Sequence, residues 1–196
     1  MNIYRSEMFP DEIEEEQGGE SPHQVLKDIS QTIVLSLIIF FIINFLSARI
    51  RVESVSMRET LKPDDFVVVS RVVYKFKGVD RGDIIVFNPP FYSPEPYIKR
   101  VIGLPGDDIR IQDGNVFING ERIKEPYIRN TGGKSGKWKV PEGNLFVMGD
   151  NRGNSSDSRA WGMVPFENVI GKAIFVYWPP REWGALTIKA IAAEYP

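Results

Sequence analysis

Apolar and polar positions divide this chain into three stretches. Residues 1–28 are polar and mostly acidic, with Gly18, Gly19 and Pro22 among them, and read as a solvated, disordered tail. From Ile29 to Ala48 no residue is charged over 20 positions, and Ile33–Leu46 is nearly all aliphatic or aromatic. At about 1.5 Å per residue, a helix of that length reaches roughly 30 Å, the thickness of a bilayer core. It is apolar all round, unlike the one-sided helix of a soluble core. Leu46-Ser47-Ala48 ends in small residues, as a cleavable leader would, but the stretch before it is acidic where a leader needs a basic one. The segment therefore reads as an uncleaved transmembrane anchor.

Beyond residue 50 the pattern shortens to that of β-strands. Phe66–Val73 is rich in β-branched residues, and Asp83–Asn88, Leu145–Met148 and Ala173–Trp178 supply further strands. Ile109–Gln112 and Asn115–Ile118 are separated by Asp113-Gly114 and followed by Asn119-Gly120, which predicts two tight type I′ turns and a small meander. Pro89, Pro90, Pro94 and Pro96 keep residues 89–96 out of any sheet ladder. The predicted architecture is mainly β: an antiparallel β-sheet domain with a small β-hairpin extension, behind one N-terminal transmembrane helix. The expected boundaries are a tail at 1–28, an anchor at 29–48 and a β-rich domain at 49–196.

Composition then narrows the chemistry. The chain has 196 residues, enough for one ordinary domain with appendages. It has no cysteine, which removes disulfides, thiolate metal sites and cysteine nucleophiles together. Its one histidine, His23, lies ahead of the folding segments, which argues against a Ser-His-Asp triad and a histidine-bound metal. Residues 1–28 hold two basic against eight acidic residues, a net of −6, and the remainder 22 against 18, a net of +4. The basic residues form no run or face, so no nucleic-acid partner is expected.

Five stretches invite a chemical reading. Gly132–Gly136 reads G-G-K-S-G but lacks the first glycine of a phosphate loop, Ile128 standing there, and is taken as a flexible loop. Asn154-Ser155-Ser156 matches a glycosylation sequon, too short a pattern to carry weight. Val52–Leu61 follows the anchor and holds Ser54 and Ser56, which project alike if the backbone is extended. In Tyr97–Asp107, alternation sets Tyr97, Lys99 and Val101 on one strand face, with Ile98, Arg100 and Ile102 on the other. Gly149–Gly162 packs Asp, Asn, Arg and Ser densely after an apolar strand, as a built hydrogen-bond network does.

Taken together, S-x-S-M, Y-I-K-R-V-I-G-L-P-G-D and G-D-N-R-x-N-S-x-D-S-R-x-W-G, in this order behind an anchor, resemble bacterial type I signal peptidases, the leader peptidase family. The resemblance covers about residues 50–180. It implies a serine endopeptidase that removes signal peptides from exported preproteins, with Ser56 as nucleophile and Lys99 as general base. It assigns Ser54, with the Ser56 N–H, to the oxyanion hole, and Ser155 to orienting the lysine. Asp150, Arg152, Asp157 and Arg159 match the positions that brace the third motif, with ion pairs expected. No cofactor or metal is implied. A lysine at its ordinary pKa of about 10.4 is neutral in about one molecule in 2,500 at pH 7, so the base must be shifted by burial. Losing one oxyanion donor costs about 2.7–4 kcal/mol, so Ser54→Ala should be impaired without being dead.

The chain departs from the family in one place: Glu59 stands where a proline is usual. Glu59 is expected either to pair with Arg58 or Lys62, or to hold Lys99 charged. The second case would make the chain a catalytically impaired homologue that binds signal peptides or scaffolds an export complex. A self-cleaving repressor-type protease shares the Ser-Lys pair but carries a DNA-binding module where this chain has its anchor. The expected partners are signal peptides, the lipid bilayer and the export machinery; Phe91, Tyr92, Trp178 and Trp183 are candidates to enter lipid near the site. The expected location is the cell membrane, or an internal bacterial membrane, with the N-terminus cytoplasmic and the catalytic domain outside. Lys27 before the span and Arg49, Arg51, Arg58 and Lys62 after it argue for the reverse orientation by charge. Substrate logic overrides that count, since exported proteins present their cleavage sites on the far side.

Overall fold

A computed structural model describes residues 22–186 and the pair Ala192–Ala193; the acidic residues up to Glu20 lie outside the described residues. The chain divides into two compact units, residues 1–41 and 42–196. Helix α1 (Pro22–Leu46) starts before Ile29 and ends two residues short of Ala48, because Ser47 and Ala48 already belong to a strand. It is long and apolar enough to cross a membrane, alone in this among the described residues. Its few hydroxyls turn back onto its own carbonyls: Ser30 donates to Lys27, Thr32 to Asp28 and Ser36 to Thr32, at 2.7–2.8 Å. Those bonds leave few polar groups in need of water, as a spanning helix requires.

The second unit is built from β1 (Ser47–Arg51), β2 (Phe66–Ser70), α2 (Val73–Phe76), β3 (Ile84–Phe87), β4 (Tyr97–Gly103), β5 (Asp108–Gln112), β6 (Asn115–Ile118) and β7 (Glu121–Lys124). After these come β8 (Gly136–Lys139), β9 (Asn144–Met148), α3 (Ser158–Trp161), β10 (Val164–Pro165), β11 (Val169–Trp178), β12 (Gly184–Ala185) and β13 (Ala192–Ala193). An eight-stranded sheet runs β1-β2-β11-β3-β4-β9-β10, with β12 beside β11, and a five-stranded sheet runs β13-β7-β6-β5-β8. Every pairing is antiparallel.

The two turns of the meander form as expected. Asp113-Gly114 (φ +51°, +76°) and Asn119-Gly120 (φ +53°, +91°) take the paired positive φ that a type I′ hairpin demands. The extension is larger than a hairpin, because β8 and β13 add to the two edges of the meander. The expected strand Phe66–Val73 stops at Ser70, where the chain bends and coils into α2. β2 shows the alternation of a half-buried strand, whereas β3 is buried on both faces, as its unbroken Ile-Ile-Val-Phe run implies.

Three apolar clusters fill the unit. One joins Val52, Met57 and Leu61 to Val67, Val69, Ile84, Val86 and Ile98. A second packs the small sheet against Ile102, Phe146 and Met148. The third sets Ile85, Phe87 and Val101 against Leu145, Val147 and Val164. β4 contributes to all three, so its polar residues are enclosed by packed side chains.

Candidate active site

β4 lies between β3 and β9, and both of its faces are covered. Lys99 is accordingly 4% exposed and Arg100 2%. Lys99 Nζ donates to Ser56 Oγ at 2.5 Å and to the Ile98 carbonyl at 3.1 Å, and lies 5.4 Å from the centre of the Tyr97 ring. Burial lowers its pKa to about 8, against the pull of Asp157 and Asp150 toward the charged form. Among the described residues no carboxylate pairs with it. The result is a lysine that can be neutral near physiological pH, in contact with a serine hydroxyl.

Ser56 opens the turn that follows β1, and is 6% exposed. Ser54 Oγ and Ser56 Oγ are 3.0 Å apart, so the two serines do share one site. The Ser56 carbonyl accepts from Asn151 N–H at 2.9 Å, and the Val55 carbonyl from Asn151 Nδ2 at 3.1 Å. No acceptor among the described residues takes the Ser56 N–H. Beside the pair runs a groove of about 740 Å³, bounded by Arg49–Ser56 on one side and Glu95–Lys99 on the other. Asn154 and Ser156 from the third motif also line it.

The third motif forms a network of buried ion pairs. Asp150 takes a two-pronged bond from Arg100 (2.7 and 2.8 Å) and a hydroxyl bond from Thr60 at 2.5 Å. Asp157 caps α3 and takes Arg159 in the same forked way at 2.8 Å, while also accepting the Gly149 N–H at 3.1 Å. Arg152 pairs with Glu125, both nearly inaccessible. Gly149 sits where no side chain fits: a Cβ there would lie 2.3 Å from Ser155 Oγ and 2.5 Å from the Ser56 carbonyl oxygen. Ser155 thus lies close to Ser56, but the hydrogen bond expected from it to Lys99 is not formed, and its buried hydroxyl has no partner in this structure.

Glu59 pairs with neither Arg58, Lys62 nor Lys99. Its carboxylate meets Arg129 Nε at 2.7 Å, across a sequence distance that local reading cannot bridge. Its backbone has φ +93° at the third position of a turn closed by Thr60 N–H to the Met57 carbonyl. Proline, fixed near φ −65°, cannot occupy that conformation. Residues that sequence reading missed are Thr60, Glu125, Tyr127, Asn130 and Asn151. Asn151 had a signal, standing inside the third motif; Glu125, Tyr127 and Asn130 had none, being in an irregular connector.

The chain is similar in sequence to known proteins over most of its length. The family model described as signal peptidase, peptidase S26, matches residues 25–178. A probable signal peptidase I-1 of Synechocystis sp. is 38% identical over 175 residues, spanning 85% of this chain and 89% of that protein. Signal peptidase I of Leptolyngbya laminosa is 41% identical over 170 residues, 82% of each chain. A crystal structure of a signal peptidase I from Enterococcus faecalis V583 is 33% identical and aligns with a TM-score of 0.45 over 49% of this chain and 97% of that one.

Proposed function

The chain belongs to the signal peptidase family, peptidase S26, and we propose that Ser56 and Lys99 carry out its reaction. It is a serine peptidase that removes signal peptides from preproteins. The observation that carries the residue assignment is the 2.5 Å contact between a buried lysine with no carboxylate partner and the Ser56 hydroxyl. Neutral Lys99 takes the Ser56 proton as Oγ attacks the scissile carbonyl. The oxyanion is received by the Ser56 N–H and the Ser54 hydroxyl. The lysine ammonium then gives its proton to the leaving amine, which departs with the mature protein. The ester left on Ser56 is hydrolysed by a water that Lys99 deprotonates, regenerating the free serine. Ser155 is a positioning residue, whose unpartnered hydroxyl is available to the lysine once substrate tightens the site.

The groove takes the signal peptide as an extended segment, with small residues, typically alanine, at the first and third positions before the cut. The helix α1 is the membrane anchor, with the N-terminus in the cytoplasm and the catalytic domain outside. The basic residues after the span favour the reverse orientation by charge, and what overrides them is that exported proteins present their cleavage sites on the far side. Tyr92 and Trp183, 96% and 64% exposed, are candidates to meet lipid. A single cysteine introduced at the exposed Lys134 in this cysteine-free chain tests the orientation by its reaction with a membrane-impermeant thiol reagent on intact cells.

The assignment is tested by cleavage of a preprotein with an Ala-x-Ala site in detergent, from about pH 6 to about pH 10. Wild type should cut at that site, with activity rising as Lys99 loses its proton through about pH 8. Ser56→Ala and Lys99→Ala should be inactive throughout. Activity in either variant would remove that residue from the role given to it here.

A further inference from the structure

The turn that presents Ser56 belongs to no strand, and its partner Lys99 stands on β4; their 2.5 Å contact depends on two separately held segments. The irregular connector between β7 and β8 reaches both. Asn130 Nδ2 donates to Asn151 Oδ1 at 2.9 Å, and Asn151 in turn holds the Val55 and Ser56 carbonyls. Arg129 holds Glu59, three residues past the nucleophile, at 2.7 Å. The Tyr127 ring, 4% exposed, covers the Arg100 guanidinium at 4.0 Å, next to Lys99 on the strand. None of the three touches Ser56 or Lys99 directly.

We propose that this connector, residues 125–132, is a positioning strap for the Ser56–Lys99 pair. Asn130 acts through Asn151 on the carbonyls flanking the nucleophile, Arg129 through Glu59 on the turn after it, and Tyr127 through Arg100 on the strand that carries the base. The proposal rests on the dyad assignment above. Its physical ground is the steep dependence of rate on geometry, since a misplacement of about 1 Å can cost about 100-fold. A segment that only joined β7 to β8 within the small sheet would have no need to reach both sides of the reacting pair.

The test uses the full chain in detergent with an Ala-x-Ala preprotein, measuring kcat and KM well below the unfolding temperature, and the thermal midpoint on the same preparations. Wild type, Ser56→Ala, Asn130→Ala, Arg129→Ala, Arg129→Lys, Tyr127→Leu and the exposed control Lys134→Ala are compared. Asn130→Ala and Tyr127→Leu should lower kcat about tenfold at a KM within about twofold of wild type, the pattern of an interaction that shapes the transition state. Arg129→Ala should lower kcat about threefold, with Arg129→Lys restoring it, as an exposed pair allows. The control should match wild type. Asn130 is exposed and uncharged, so its variant tests the proposal even if Tyr127→Leu fails to fold. Wild-type kcat in Asn130→Ala and Arg129→Ala, or a raised KM at unchanged kcat, overturns the strap while leaving the dyad in place. Activity in Ser56→Ala overturns the dyad instead, and the strap with it.

Discussion

Lys99 and Arg100 are neighbours on one strand, almost equally buried, and the fold treats them in opposite ways. Arg100 meets Asp150 through two parallel bonds, and Thr60 and the Gly82 carbonyl accept from two more of its N–H groups. Lys99 Nζ, among the described residues, hydrogen-bonds a serine hydroxyl and a carbonyl. The forked, always-charged guanidinium is held as a structural cation, whereas the ammonium is left where burial lowers its pKa to about 8. One face of β4 is made to stay ionised and the other to be able to lose its proton.

The largest effect that would break this contrast comes from the arginine side. Asp150→Asn removes the partner and leaves Arg100 charged in the interior, so unfolding stability should fall by about 3–5 kcal/mol in denaturant titration. A loss below about 1 kcal/mol would mean that the pair is solvated in solution, and the two faces would then differ little.

The lysine side should respond with the opposite sign. At pH 7 the fold holds a lysine whose pKa lies at about 8, against about 10.4 in the unfolded chain. The folded value is the lower one, so between these two values the unfolded chain binds more protons and stability rises with pH. Below about pH 8 the full burden stands, about 3 kcal/mol at 1.36 kcal/mol per unit. Lys99→Met, similar in volume and uncharged, should therefore unfold up to about 3 kcal/mol harder than wild type at pH 7, with no activity, and should lose that advantage above about pH 10.4. Equal stability at pH 7 would show that the site already relieves its lysine by hydration.

A third effect acts on the Ser56 side of the pair. Gly149→Ala places a Cβ against the Ser155 hydroxyl and the Ser56 carbonyl at distances no contact tolerates, and the carbonyl is backbone that cannot swing away. Stability should fall by about 1–3 kcal/mol, as for an overpacked core. The kcat should fall further than stability alone explains, because the displaced atom belongs to Ser56. Kinetics and melting measured on one preparation separate the two.

How far the sequence foretold this site depends on the range of each contact. Ser54, Ser56 and Lys99 were named through the ordered motifs that resemble the family, while spacing within a strand or extended segment told only which side chains share a side; the structure brings the three together at 2.5–3.0 Å. The glycine turns of the meander were legible locally. The acids and arginines of the third motif were visible as a cluster, but only Arg159 with Asp157 is a local pair; Asp150 finds Arg100 and Arg152 finds Glu125 through the fold. The small sheet was underestimated because β8 and β13 join it by long-range pairing onto a meander whose own pattern was complete. Glu59 shows the limit most clearly, since its partner lies in a connector with no pattern of its own.

Glu59 also supplies the smallest predicted effect, and the one that separates backbone from charge. Holding a side chain at φ +93° costs about 1–2 kcal/mol, which Glu59→Gly would relieve. Against that gain stand a more flexible unfolded chain, about 0.4–1 kcal/mol, and the loss of an exposed ion pair, about 0–1 kcal/mol. The terms nearly cancel, so Glu59→Gly should change unfolding stability by no more than about 1 kcal/mol. Glu59→Pro has no such cancellation: its ring cannot adopt this φ, and the turn closed by Thr60 and Met57 would have to be rebuilt beside Ser56. Proline should therefore be the more damaging of the two, although it is the residue that the family usually carries there. A proline variant as stable and active as wild type would mean that the turn can refold around either residue. The Arg129 contact would then be a consequence of Glu59 rather than a fixture of the site.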